Sequence, residues 1–268
     1  MMIGIVSCLP ENEERIKRKE CVTQLLSFIR GVFPKKEVVI LAQNYSLEDY
    51  IQDTNITYIS YPKTNISKAR NIILKRFYDS KEDYLLLLDD TILYDYYDAT
   101  ALLKELDKTP TKFFMCDRIC ANNPHYSPFK VANYADKNIQ THWKFVKYNG
   151  YAKMPFCVIK NIAKHTGLTI YFTEPQEDKQ DLLEEIDFHA KWINKGFASY
   201  ACEQWQMKEL LEGEQKNCIA DENAKITSFL QSRPQIVIVS HRRRKTRPQG
   251  YVKRAKKYEY TDKEIPKR

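Results

Sequence analysis

Apolar residues in the first third of the chain follow two alternating rhythms. Met2 to Ser7 (with Ile3, Ile5, Val6), Glu37 to Ala42 (Val38-Val39-Ile40-Leu41) and Ile56 to Tyr61 are short apolar runs that predict strands. Between the first two, Ile16, Val22, Leu25, Leu26 and Ile29 recur at helical spacing, and Gly31 and Pro34 close that helix. A second helix is predicted from Ser67 to about Tyr78, leading into Tyr84-Leu85-Leu86-Leu87-Leu88-Asp89-Asp90-Thr91. That unbroken apolar run reads as a strand buried on both faces in the middle of a parallel sheet. Strand alternating with helix predicts an α/β fold: a mostly parallel sheet with right-handed crossovers and helices on both faces.

Beyond the acid pair, Leu102, Leu103 and Leu106 predict a helix over Tyr97 to Lys108, and Lys112 to Cys116 predicts a strand. Asp117 to Met154 has little periodicity and reads as an irregular section rich in Asn, Pro and aromatics. Its lysines beside those aromatics suit stacking on sugars or bases, or equally a small local core. Asp181 to Tyr200 predicts a helix whose positions 183, 186, 190 and 193 share a face, capped by Gly196, with Phe197 opening a strand. Gln235 to Val239 predicts a strand that ends beside His241. The expected organisation is one domain over 1–241, divided into halves 1–116 and 117–241, with a basic tail over 242–268.

Asp89 and Asp90 close a buried strand, and in open α/β sheets ligands bind at that end. Two adjacent acids in a partly dry place call for a cation, and hard oxygen ligands suit Mg²⁺ or Mn²⁺ carrying phosphates. A solvated acidic turn is the plain alternative. Upstream stands Asn65-Ile66-Ser67-Lys68-Ala69-Arg70-Asn71. Together the two stretches resemble the nucleotide-sugar glycosyltransferases of the GT-A fold, in particular inverting family 2. In that family an N-x-x-S-x-A-R-N segment opens a helix and the next strand ends in an acidic motif. Here the third acidic position is Thr91. Leu182-Leu183-Glu184-Glu185-Ile186-Asp187-Phe188 is similar to the same family's E-D-x-D-[LF] segment.

The resemblance implies roles for particular residues. Ser7, Gln43 and Asn44 would hold the nucleoside. Ser67 and Arg70 would lie beside the nucleotide, and a planar fork such as that of Arg70 suits diphosphate oxygens. Asp89 would serve both donor and metal. Asp90 and His241 would complete the metal shell, with Mn²⁺ or Mg²⁺ as the ion. Glu185 would be the catalytic base, with Glu184 and Asp187 as its neighbours in the motif. The implied reaction is inverting sugar transfer, with UDP-glucose as the expected donor.

Charge bears on the acceptor. Residues 242–268 hold twelve Lys and Arg against three acids, a net +9, while the whole chain carries +8, so the body is close to neutral. Arg242, Arg243, Arg244, Lys245 and Arg247 begin this block, and such a block binds polyanions. A basic, membrane-free enzyme of this kind is similar to the phage enzymes that glucosylate hydroxymethylcytosine in duplex DNA. The nearest of these is the T-even type, which adds a second, β-linked glucose to α-glucosyl-hydroxymethylcytosine. Two readings stand beside it: a transferase of surface polysaccharide or lipopolysaccharide synthesis, and a non-catalytic nucleic-acid-binding module. No stretch approaches the ~18 apolar residues that span a bilayer, and no leader is evident, so a cytoplasmic protein is expected, in the host if phage-encoded. Seven scattered cysteines fit reduced thiols there. Oligomeric state is not readable from the sequence.

Overall fold

The computed structural model describes residues 1–94, 113–116, 145–148, 156–174, 184–195, 197, 199–202 and 207–209. In chain order the elements are β1 (Met2–Cys8), α1 (Glu14–Val32), β2 (Val38–Gln43), β3 (Ile56–Tyr61), α2 (Ile66–Asp79) and β4 (Tyr84–Asp89). They continue as β5 (Ile92–Tyr94), β6 (Phe113–Cys116), β7 (Phe145–Tyr148), β8 (Phe156–Lys160), α3 (Glu184–Asn194), β9 (Ser199–Cys202) and β10 (Met207–Glu209). Eight strands form one sheet in the order β3-β2-β1-β4-β8-β6-β9-β7, while β5 and β10 pair separately. The first four strands are parallel. β8 runs antiparallel to both β4 and β6, β6 pairs parallel with β9, and β7 closes the edge antiparallel to β9.

Alternation along the strands sorts side chains onto two faces. Ile3 and Ile5 of β1, Val38 and Ile40 of β2, and Leu86 and Leu88 of β4 pack with Val22, Leu25, Leu26 and Ile29 of α1. Met2, Val6, Val39, Leu41, Leu85 and Leu87 pack on the other face with Ile73, Leu74 and Phe77 of α2 and with Phe188 and Trp192 of α3. The buried stripe of α1 is the one its spacing predicts, except that Ile16 stands 68% exposed. Ile16 lies in the first turn, ahead of where the helix meets the sheet core.

α2 lies so close to β1 that there is no room for a side chain at Gly4. A Cβ there would sit 2.5 Å from Cγ2 of Ile73. Gly4→Val should therefore destabilise the fold by about 1–3 kcal/mol through overpacking, read as a lower urea midpoint.

Two features depart from the sequence reading. The stretch expected to be irregular contains the strand β7, whose four residues are too few to show a period. β8 was not anticipated, because Phe156–Lys160 is only five residues long. The expected helix over 97–108, the strand over 235–239, the Gly196 cap and the basic tail lie outside the described residues, as do most of 117–154.

Candidate active site

β1 sits at the point where the chain reverses direction across the sheet. From it the path runs outward through β2 to β3, and α2 then carries the chain back to β4 on the opposite side of β1. The carboxyl ends of β1 and β4 therefore flank a topological switch point, where open α/β sheets form their ligand crevice. Ser7 and Cys8 end one of these strands, and Asp89 and Asp90 end the other.

The segment entering α2 uses each of its polar residues differently. Asn65 is the N-cap, its side-chain oxygen accepting from the Lys68 amide at 2.8 Å. Asn71 clamps the segment that precedes α3: its Nδ2 donates to the Phe172 carbonyl at 3.0 Å, and its Oδ1 accepts from the Phe172 amide at 2.8 Å. Ser67 is buried in the first turn. Lys68 reaches over the Tyr61 ring, 5.8 Å from its centroid.

Arg70 is the hub. Its side chain is only 6% exposed, and its guanidinium faces three carboxylates. Nη2 lies 3.3 Å from Asp89 Oδ1 and 3.3 Å from Glu185 Oε1, and Nη1 lies 3.4 Å from Glu184 Oε1. The Phe172 ring lies 5.3 Å away, itself stacked on Phe188. Burial works against the charge on Arg70, but Asp89, Glu185 and Glu184 together raise its pKa above the ordinary arginine value. One cation of α2 thus ties the end of β4 to the first turn of α3, reaching glutamates more than a hundred residues beyond it in the chain.

Asp187, the third acid of the motif, does not join them. It is buried against Thr173, whose hydroxyl donates to its Oδ2, and Lys191 Nζ lies 3.2 Å away. Glu184 and Glu185 start α3 beside the crevice, whereas Asp187 is turned toward the 171–173 segment.

The acid pair is divided in the same way. Asp89 continues the face of Leu85 and Leu87, toward α2 and Arg70. Asp90 continues the face of Leu86 and Leu88, toward α1. There Arg18 Nε donates to Asp90 Oδ2 at 3.0 Å and Arg18 Nη2 lies 2.8 Å from Oδ1, while Ser7 Oγ donates to Oδ2 at 2.6 Å. Asp90 is 2% exposed, and burial raises its carboxyl above the usual range despite Arg18 and Ser7. The two acids expected to share one ion are not brought together. Among the described residues, no group of three or more His, Cys, Asp and Glu is arranged to hold a metal ion.

The residues expected at the nucleoside lie at the correct end of the sheet but are engaged elsewhere. Ser7 is fully buried, between Asp90 and the Tyr45 hydroxyl at 2.7 Å. Gln43 Oε1 accepts from the Thr64 amide at 2.7 Å and so ties β2 to the loop before α2. Asn44 takes a left-handed backbone (φ 58°), which Asn tolerates better than most residues, and its carbonyl accepts from Arg15 Nη2 at 2.8 Å. Arg18 had no distinct sequence signal, and Asn71 stood in the motif segment with no partner named for it. An arginine on a helix's polar side looks solvated, and the partners of Asn71 are a hundred residues distant. His241, Arg242, Arg243, Arg244, Lys245 and Arg247 lie outside the described residues. Among those described, no helix is long and apolar enough to cross a membrane.

No family model matches the chain, and no curated protein matches it in sequence. Solved structures do match. A197 from STIV is 14% identical with a TM-score of 0.47, over 79% of this chain and 85% of that one. S. aureus TarS 1-349 in complex with UDP-GlcNAc is 13% identical with a TM-score of 0.48, over 80% of this chain and 59% of that one. Mannosyltransferase PcManGT from Pyrobaculum calidifontis, in complex with GDP-Man and Mn²⁺, is 11% identical with a TM-score of 0.50, over 85% of this chain and 61% of that one. The chain thus spans about three fifths of the latter two. The likeness to the mannosyltransferase is one of fold: this chain has the GT-A fold, a mostly parallel α/β sheet with helices on both faces.

Proposed function

We propose that the protein is a metal-dependent, inverting glycosyltransferase that takes its sugar from a nucleotide donor. The observation that carries this reading is the convergence of Glu184 and Glu185 with Asp89 on Arg70, at the switch point of a GT-A sheet. Glu185 is the base. Its carboxylate takes the proton of the acceptor hydroxyl as that oxygen attacks the anomeric carbon, and the single displacement inverts configuration. Glu184 shares the same arginine and borders the same crevice. Arg70 holds both carboxylates in position.

Hard carboxylate oxygens at Asp89 suit Mg²⁺ or Mn²⁺, and such ions need only one or two carboxylates when substrate phosphates supply the rest. Asp89 fits that requirement, with His241 as the proposed second protein ligand. Asp90 stands outside the set, because Arg18 and Ser7 occupy both its oxygens. A bound ion would supply charge stabilisation for the leaving nucleoside diphosphate. UDP-glucose is the proposed donor.

For the acceptor we favour duplex DNA bearing hydroxymethylcytosine or its glucosylated form, on the strength of the +9 block after His241 beside a nearly neutral body. A small saccharide acceptor has no use for such a field. Neutralising Arg242, Arg243, Arg244 and Lys245 should weaken DNA binding and flatten its salt dependence by roughly one unit of slope per lost phosphate contact. Fluorescence anisotropy across a salt series checks this. An unchanged slope would favour the polysaccharide reading.

A further inference from the structure

Arg70 was expected to meet the donor diphosphate, yet its guanidinium is buried among Asp89, Glu184 and Glu185. A different arginine at the same crevice is better placed. Arg18 rises from the early turns of α1 with its side chain 31% exposed, and it reaches the end of β4. The edge formed by Nε and Nη2 is fixed by both oxygens of the buried Asp90, and Asp90 is in turn fixed by Ser7. Among the described residues Nη1 has no partner. A carboxylate that locks one edge of a guanidinium while the other stays open makes an oriented anion receptor.

The surroundings add a second cation. Burial pushes the Cys8 thiol at the end of β1 upward, and Lys63 and Arg18 pull it back, so both cations act at that strand end. Lys63 comes from the loop between β3 and α2, so two separate parts of the chain bring positive charge to one place.

We propose that Arg18, oriented by Asp90, is the residue that binds the diphosphate of the donor nucleotide. The assignment rests on the sugar-nucleotide reading above. It gives Asp90 a task other than metal binding: holding Arg18 rigid at the rim of the crevice.

The test is binding rather than turnover. UDP, GDP, uridine and guanosine are titrated into the full chain by calorimetry with Mn²⁺ present. Wild type should bind one diphosphate more tightly than its nucleoside. Arg18→Gln should weaken that diphosphate by roughly tenfold to hundredfold and leave the nucleoside unchanged. Arg18→Lys should recover part of the loss, since the charge stays and the fork goes. Because Arg18→Gln leaves Asp90 buried without its cation, the neutral pair Arg18→Gln/Asp90→Asn is measured beside it and should show the same selective loss. Arg70→Lys should weaken the diphosphate less than Arg18→Gln does.

Diphosphate affinity equal to wild type in both Arg18 variants overturns the assignment. So does an equal loss for nucleoside and diphosphate, which would mark a damaged crevice. Either result leaves the transferase reading standing. A wild type that binds neither UDP nor GDP overturns both.

Discussion

Glu185→Gln should abolish most sugar transfer while leaving the protein folded and able to bind its donor. The substitution keeps the shape and a hydrogen-bonding oxygen for Arg70 but removes the proton acceptor. A general base contributes about 10²–10⁴-fold, so turnover should fall by that factor with little change in donor affinity. Glu184→Gln, on the same arginine, should cost less, because only one of the two carboxylates takes the proton. Asp187→Asn should behave differently again. Its carboxylate serves Thr173 and Lys191, so its loss should lower the melting temperature and leave kcat within a few fold. Single-turnover kinetics with melting curves on the three variants separates these outcomes. An active Glu185→Gln beside an inactive but fully stable Asp187→Asn would transfer the base to Asp187.

Arg70→Met should instead affect stability. Removing one partner of a buried ion pair costs about 3–5 kcal/mol, because it strands charge away from water. Three carboxylates face the Arg70 guanidinium, so its loss leaves like charges opposed at the junction of β4 and α3. Urea unfolding should show a midpoint shift of that size. Adding Glu184→Gln to Arg70→Met should recover part of it by removing one of the like charges opposed at this junction. Glu184→Gln alone should be mildly destabilising or neutral. A double variant no more stable than Arg70→Met would mean that the acids at this junction are not held through Arg70.

The first four strands and two helices were legible because their residues obey a single rule each. Strands buried on both faces read as continuous apolar runs, and α1 and α2 bury stripes at helical spacing. Gly31 and Pro34 announced the end of α1, while α2, expected from Ser67, starts one residue earlier behind the Asn65 cap. The second half was harder to read. β7 and β8 are four and five residues long, and their pairing with distant strands rather than local pattern makes them strands. At the site, the family resemblance implied roles for Asp89, Arg70, Glu184 and Glu185, and the structure brings these four side chains together. The division of Asp89 from Asp90 was also implicit in the sequence, since successive strand residues point to opposite faces. The tie between Asp90 and Arg18 needed the fold itself, because α1 is brought to β4 only by packing across β1.

If Asp89, Arg70, Glu184 and Glu185 form the catalytic centre of an inverting sugar transfer from a nucleotide donor, the product carries its signature. The direct measurement is to incubate the protein with UDP-[¹⁴C]glucose, Mn²⁺ and duplex DNA carrying hydroxymethylcytosine or α-glucosyl-hydroxymethylcytosine. Label in the DNA is followed, and the anomeric configuration of the product is read by NMR. Incorporation with a β linkage from the α-linked donor is expected, lost in excess chelator and in Asp89→Asn. Transfer with the donor's own α configuration, or full transfer by Asp89→Asn, would contradict that assignment.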